Sequence, residues 1–192
     1  MKIGVLASQG SFAEHITALR RLGVEAISVR LPGELVGLDG LIIPGGESTS
    51  ISKLMLDFNL ANEIKDLVRK GMPVFGTCAG MILMSENVTG SYPETLGLMA
   101  LTAKRNAFGR QKDSFETELS VPVLGDMPFP AVFIRAPVIR AVNGKAKILA
   151  KLADGTPVAA RQDTMLVSAF HPELTDDLRF HRYFIDIVAG KK

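Results

Sequence analysis

Cysteine occurs once in the 192-residue chain, at Cys78. One thiol cannot close an internal disulfide, so nothing here requires an oxidising compartment. No apolar run approaches the ~20 residues that a membrane-spanning helix needs. The opening run, Lys2 to Ala7, is too short for the core of a signal peptide and reads as a buried first strand. The expected address is the cytoplasm, with no membrane partner. Neither sign of charge dominates: 22 basic residues face 20 acidic ones, for a net charge of +2. The basic residues are scattered, so no nucleic-acid partner is expected. No His, Cys and carboxylate cluster has the spacing of metal ligands, and no metal is expected. Phosphate loops are missing too: Gly4 to Gly10 does not form the dinucleotide fingerprint, and Pro44-Gly45-Gly46-Glu47-Ser48 lacks the Walker lysine. There is no linker, internal repeat or low-complexity segment.

What is present is an ordinary globular composition, 47% hydrophobic and 22% charged, in a chain long enough to bury a substantial core. One domain over residues 1–192 is expected. Strands are predicted at Lys2–Ala7, Ala26–Val29, Gly40–Ile43 and Pro73–Phe75. Between and after them come helices from Ser11 to Gly23, around Ser50–Phe58 and Ala61–Lys70, and from Ala79 to about Asn87. Ser11 and Glu14 have the spacing of a capping box for the first helix. This alternation predicts a three-layer α/β/α fold around a mostly parallel central sheet. Beyond residue 95, short β-like runs follow at Phe115–Val121, Ala131–Ile134, Lys147–Lys151, Pro157–Arg161 and Met165–Phe170. Asp176–Val188 closes the chain as an amphipathic helix.

Cys78 sits in Gly76-Thr77-Cys78-Ala79-Gly80, the form of a nucleophile elbow with sulfur in place of the hydroxyl. In such an elbow a strand turns sharply into a helix, and small neighbours let the two segments approach. The helix N-terminus also favours a thiolate. The five residues alone fit a structural cysteine equally well. A nucleophile needs a base. His15 and His181 fall in helices, where half-buried or surface positions are the default. His171 instead follows a strand and begins His171-Pro172-Glu173. Extended geometry before the proline would put His171 and Glu173 on one side, with Glu173 orienting the imidazole toward the sulfur. Gly45 and Gly46, at the end of the third strand, leave backbone N–H groups uncovered on the same rim. Ser50-Ile51-Ser52-Lys53 matches S-x-x-K but reads as helix surface.

Together these segments resemble the class I glutamine amidotransferases. Within that class the chain is similar to the glutaminase subunits of two-component pyridoxal 5'-phosphate synthases. The resemblance rests on Gly4-Val5-Leu6 with Gln9-Gly10, Glu14-His15, PGGEST (44–49), GTCAG (76–80), RNAFGRQ (105–111), Ser114-Phe115-Glu116, FIRAP (133–137) and HPELT (171–175). GTCAG and HPE indicate the broad class; RNAFGRQ with FIRAP narrows it to the vitamin B6 branch. The resemblance implies Cys78 as nucleophile, His171 as general base and acid, and Glu173 as its orienter. It implies glutamine binding by Gly46, Glu47, Ser48, Arg105, Ile134 and Arg135. An arginine suits the α-carboxylate and a glutamate the α-ammonium, but which of Glu47, Arg105 and Arg135 holds which end stays open.

The expected chemistry is hydrolysis of L-glutamine through a Cys78 thioester, with the N–H groups of Gly46 and Ala79 as oxyanion hole. The ammonia would pass to a (β/α)-barrel synthase subunit within a large hetero-oligomer. No cofactor is expected on this chain, pyridoxal phosphate included. Two alternatives use the same fold: another glutaminase or cysteine hydrolase, and a non-catalytic regulatory module.

Overall fold

In the computed structural model, residues 1–90, 94–108 and 114–191 are described. Gly109, Arg110 and Gln111 of the RNAFGRQ segment lie outside the described residues. The first half alternates as the hydrophobic pattern predicts: β1 (Lys2–Leu6), α1 (Phe12–Arg21), β2 (Glu25–Val29), β3 (Gly40–Ile43), α2 (Ser48–Asp57), α3 (Leu60–Arg69), β4 (Val74–Thr77) and α4 (Ala79–Met84). The second half is mostly strand: β5 (Ser85–Thr89), β6 (Met99–Lys104), β7 (Ser114–Leu119), β8 (Phe129–Ile134), β9 (Val138–Val142), β10 (Lys147–Lys151), β11 (Pro157–Gln162) and β12 (Met165–Ser168). Helix α5 (Arg179–Val188) closes it.

The main sheet has the order β10-β11-β12-β4-β3-β1-β2. β12, β4, β3, β1 and β2 run parallel, β11 is antiparallel to β12, and β10 is antiparallel to β11. β4 and β3 are buried throughout, as strands covered on both faces must be. Phe75 of β4 projects toward α1 and α5, where its ring meets His15, Phe180, His181 and Phe184. Gly76, the next residue, faces the other side, against Met84 and Gly80 of α4. The period of two thus assigns α1 and α5 to one face and α4, with α2 against it, to the other. The layers are those the sequence predicts.

Two smaller elements accompany the main sheet: a β5-β6-β9 sheet and a β7-β8 ribbon. An aromatic chain ties the ribbon to the core. Phe115 stacks on Phe133, Phe133 meets Phe170, and Phe170 and Phe129 both meet Phe180 edge-on. Phe129, Phe133, Phe170 and Phe180 are fully buried, each worth about 1.5–3 kcal/mol in area removed from water. Among the described residues, no helix is long and apolar enough to cross a membrane.

Three local expectations are corrected. The helix after Cys78 stops at Met84, and Ser85–Thr89 pairs in parallel with β6. Val88 and Thr89 are β-branched, and the Ser85 hydroxyl takes the Met81 carbonyl at 2.7 Å, which ends the helix. Ser11 does not cap α1 with its side chain; its hydroxyl goes to a buried carboxylate instead. β6 and β9 have no counterpart in the expected strands; in β6, Ala and Lys in MALTAK dilute the β character.

The elbow depends on contact between backbones. A Cβ on Gly80 would lie 1.9 Å from the carbonyl oxygen of Ile43, and one on Gly76 would lie 2.7 Å from the backbone of Gly80. Neither neighbour is the end of a flexible side chain. Gly80→Ala is therefore expected to cost about 3 kcal/mol or more in denaturant unfolding. Gly33→Ala, where an added Cβ meets nothing within 4 Å, should stay within about 0.5 kcal/mol of the parent. Equal midpoints for the two variants would contradict the packing described.

Candidate active site

Four neighbouring parallel strands end at the same rim, so the residues that follow them converge. Beyond β1 comes Gln9, beyond β3 Gly45 and Gly46, beyond β4 Cys78, and beyond β12 His171. In register, Ser168 pairs with Thr77 and Ile43 with Gly76. Cys78 has φ 49° and ψ −105°, a left-handed backbone that a non-glycine residue adopts only when its surroundings enforce it. Its N–H is held by the Ser168 carbonyl at 2.8 Å. The strained turn places the side chain at the N-terminus of α4, and the sulfur lies 3.9 Å from the Ile134 carbonyl.

His171 faces Cys78 on one side, and both line the cleft. On the other, its Nδ1 is 2.7 Å from Oε1 of Glu173. The pairing matches the expectation, but its local geometry does not. His171 itself is extended (φ −106°, ψ 86°), whereas Pro172–Leu174 forms a single 3-10 turn. Proline suits the first position of such a turn, and the turn swings Glu173 back to the imidazole. The backbone of His171 is anchored from the ribbon by its N–H to the Val132 carbonyl, 2.8 Å. Burial opposes a charged His171, but the neighbouring Cys78 and Glu173 outweigh it, raising the imidazolium to about 10. Burial likewise opposes an ionised Glu173; facing His15 and His171 and accepting from Ser11, it is nonetheless lowered to about 2.

The cleft beside the sulfur has a volume of about 360 Å³, the size of a small-metabolite site. Gly46, Glu47, Ser48, Cys78, Ala79, Arg105, Ile134, Arg135 and His171 all line it. Every expected site residue is therefore at the cleft except Glu173, which stands behind His171. Gln9, Ile82, Asn106 and Pro137 line it as well, unassigned by sequence, although Gln9, Asn106 and Pro137 belong to the recognised segments. Ala79 opens α4, so its N–H has no partner inside the helix. The Gly45 carbonyl accepts from the N–H of Ser11 at 3.3 Å. In a trans peptide this directs the Gly46 N–H the opposite way. A Cβ on Gly45 would strike the His171 ring at 2.3 Å, so only glycine admits the imidazole there.

At the cleft mouth Glu47 caps α2, accepting from the N–H groups of Thr49 (3.1 Å) and Ser50 (2.8 Å). It also pairs with Arg105 at 3.3 Å. Burial opposes its ionisation, but the hydrogen bonds from Thr49 and Ser50 together outweigh it and lower it to about 2. Arg135, exposed and with φ 42°, stands on the turn between β8 and β9. Lys53 is exposed on α2, in keeping with a helix surface.

His15 and His181 depart most from expectation. Both are fully buried and bonded to each other, Nδ1 of His15 to Nε2 of His181 at 2.9 Å. Both follow the buried face of their helices: His15 lies four residues before Leu19, and His181 three before Phe184. That periodicity was the available signal.

A family model for the SNO glutamine amidotransferase family matches residues 5–189. The chain is 56% identical to a pyridoxal 5'-phosphate synthase subunit PdxT of Dehalococcoides mccartyi, over the whole of both chains. It is also 56% identical to the subunit of that name from Carboxydothermus hydrogenoformans, over 98% of each. A crystal structure of a glutamine amidotransferase superposes with TM-score 0.92 at 48% identity, covering 97% of this chain and 98% of the other. The PurLQS structure of Thermotoga maritima, 15% identical with TM-score 0.71, shares the fold.

The His171–Glu173 pair makes stability depend on pH at both ends. His171 is raised from 6.5 to about 10, so its contribution is complete below 6.5 and lost as pH rises through 10. Glu173 is lowered from 4.5 to about 2, so its contribution is complete above 4.5 and lost as pH falls through 2. The melting-temperature gap between the parent and Glu173→Gln should be widest near about pH 5.5 and narrow toward about pH 10. A gap that stays constant over that range would show that the pair is not ionic.

Proposed function

The chain belongs to the SNO glutamine amidotransferase family, and from that premise we propose that it is the glutaminase subunit of a pyridoxal 5'-phosphate synthase. It hydrolyses L-glutamine to L-glutamate and ammonia in one glutaminase domain spanning residues 1–192. The observation that carries this reading is the line Cys78–His171–Glu173 at the wall of a cleft of metabolite size. Its support at the level of the whole synthase is the identity to the PdxT subunits over full length.

The thiolate of Cys78 attacks Cδ of glutamine, and the amide oxygen becomes an oxyanion facing the N–H groups of Gly46 and Ala79. His171, held as imidazolium by Glu173, donates a proton to the amide nitrogen. The C–N bond breaks, ammonia leaves, and a γ-glutamyl thioester remains on Cys78. His171, now neutral, takes a proton from water as the oxygen attacks the thioester carbonyl. The C–S bond breaks, releasing glutamate and restoring the thiolate–imidazolium pair. Gly46, Glu47, Ser48, Arg105, Ile134 and Arg135 hold the substrate, with the charged members meeting its two charged α-groups.

Ammonia is of use to a second enzyme only while neutral and retained. The partner is the synthase subunit, a (β/α) barrel in a large hetero-oligomer, and the setting is the cytoplasm. The juxtaposition of Cys78, His171 and Glu173 supports this reading over a regulatory module without catalysis.

The test is glutamate release from L-glutamine in the presence of the cognate synthase subunit. The parent should turn over, and Cys78→Ala should bind glutamine while losing about 10⁴-fold or more in kcat. Normal turnover by Cys78→Ala, or an inert parent with the synthase present, would overturn the reading.

A further inference from the structure

Glu173 holds a buried carboxylate with two oxygens in different situations. Oε1 accepts from Nδ1 of His171 and from the Ser11 hydroxyl. Oε2 is fully buried without a hydrogen-bond partner, and Nε2 of His15 lies 3.3 Å from it. That nitrogen is also 3.1 Å from the Thr77 hydroxyl, which accepts from the N–H of Gly45. His15 therefore touches the support of the base, the residue before the nucleophile and the strand end before Gly46, without lining the cleft.

The protons in this cluster can be assigned from its partners. An ionised Glu173 is acceptor only, so the His15 nitrogen facing it must carry the hydrogen. Nδ1 of His15 is then a lone pair and accepts from Nε2–H of His181. The remaining nitrogen of His181, Nδ1, is buried without a partner, and in this assignment it is a lone pair. The reverse assignment would bury an unpaired N–H there and set a lone pair against the carboxylate, two costs in place of one. Both rings are neutral in this arrangement. Burial lowers His15, and burial with the neighbouring His15 lowers His181 to about 3. Phe75 meets both rings edge-on, which fixes their planes. Among the described residues no group of three or more His, Cys, Asp or Glu side chains is arranged to hold a metal ion.

We propose that His15 is a positioning residue for the glutaminase reaction: its Nε2–H, shared between the Thr77 hydroxyl at 3.1 Å and Oε2 of Glu173 at 3.3 Å, keeps Oε1 aimed at His171, with His181 fixing the tautomer. The inference rests on the glutaminase reading above. His15 acts through Glu173 and not on the substrate, so its loss lowers kcat and leaves KM unchanged. It also weakens the stabilisation of the Glu173 anion, so the acid limb of the rate profile moves to higher pH.

Four proteins test this in complex with the cognate synthase subunit: the parent, His15→Leu, His15→Asn and His15→Gln. A glutamine amide nitrogen reaches the place of Nε2, whereas that of asparagine reaches only the place of Nδ1. His15→Leu and His15→Asn should lose about 10- to 100-fold in kcat, the scale of one hydrogen bond to a charged group. Their acid limbs should move up in pH. His15→Gln should stay within about 3-fold of the parent. The two amide variants share polarity and differ mainly in reach, so a loss through misfolding would strike both. Equal kcat in all four, a loss shared by Gln and Asn, or an effect confined to KM would overturn the proposal. The same ranking is expected for alkylation of Cys78 by iodoacetamide as a function of pH. With one cysteine in the chain, that measurement needs neither substrate nor partner. An inert parent would thus count against the glutaminase reading, while the alkylation series still decides the role of His15.

Discussion

A buried, ionised carboxylate sets the terms for the rest of this site. The side chain of Glu173 has no exposure, and an isolated carboxylate so placed would take up a proton. It remains an anion because groups from separate parts of the chain converge on it: Ser11 and His171 hydrogen bond to it from before α1 and after β12, and His15 of α1 lies 3.3 Å away. Those elements are joined through the sheet, since β1, which leads into α1, is separated from β12 by β3 and β4. Solvating one charge thus requires the parallel order of four strands. It also explains the failed capping box, because Ser11 makes a charge-assisted bond to Glu173 in preference to a neutral one to its own helix.

The second constraint is the approach of backbones around Cys78. α4 sits against β3 closely enough that Gly80 touches the Ile43 carbonyl. Only there does the turn after Thr77 force φ of Cys78 to 49°. The strain is held by packing on both sides: Phe75 is locked among α1 and α5, and Met81, Leu83 and Met84 of α4 are fully buried. A thiol at that position meets the positive end of α4 and an imidazolium at once. Structure and electrostatics therefore converge on the same atom without any residue of the core being polar for its own sake.

The layer architecture was legible because apolar runs of strand length alternate with helical periodicity, and burial of both strand faces leaves no polar alternation to confuse them. The proximity of Cys78 and His171 was legible because GTCAG and HPE sit at strand ends, where side chains face the rim. What was not legible depends on contacts between distant segments. Nothing local to His171-Pro172-Glu173 says that a 3-10 turn, not an extended strand, would bring the two side chains together. Nothing near His15 says that its neighbour is His181, 166 residues on. A helical histidine on an apolar face reads as half-buried until the residue across the gap is known. The strand β6 was hard to read for a similar reason: Ala and Lys in MALTAK carry weak β preference, and the strand is secured by pairing with β5 and β9.

The cleft mouth follows from the same electrostatics as its floor. Glu47 and Arg105 pair with each other at 3.3 Å, while Glu47 also accepts two N–H groups of α2. A zwitterion such as glutamine brings one charge of each sign, so its entry can exchange this pair for two new ones with no net change in charge. The exchange is inexpensive because both side chains are partly exposed and their attraction is screened by water. At Glu173 the opposite holds: the partners are buried and cannot be exchanged. The cleft thus has an exchangeable ion pair at its mouth and a fixed one behind His171. On the proposed reading, that division lets binding and catalysis be altered separately.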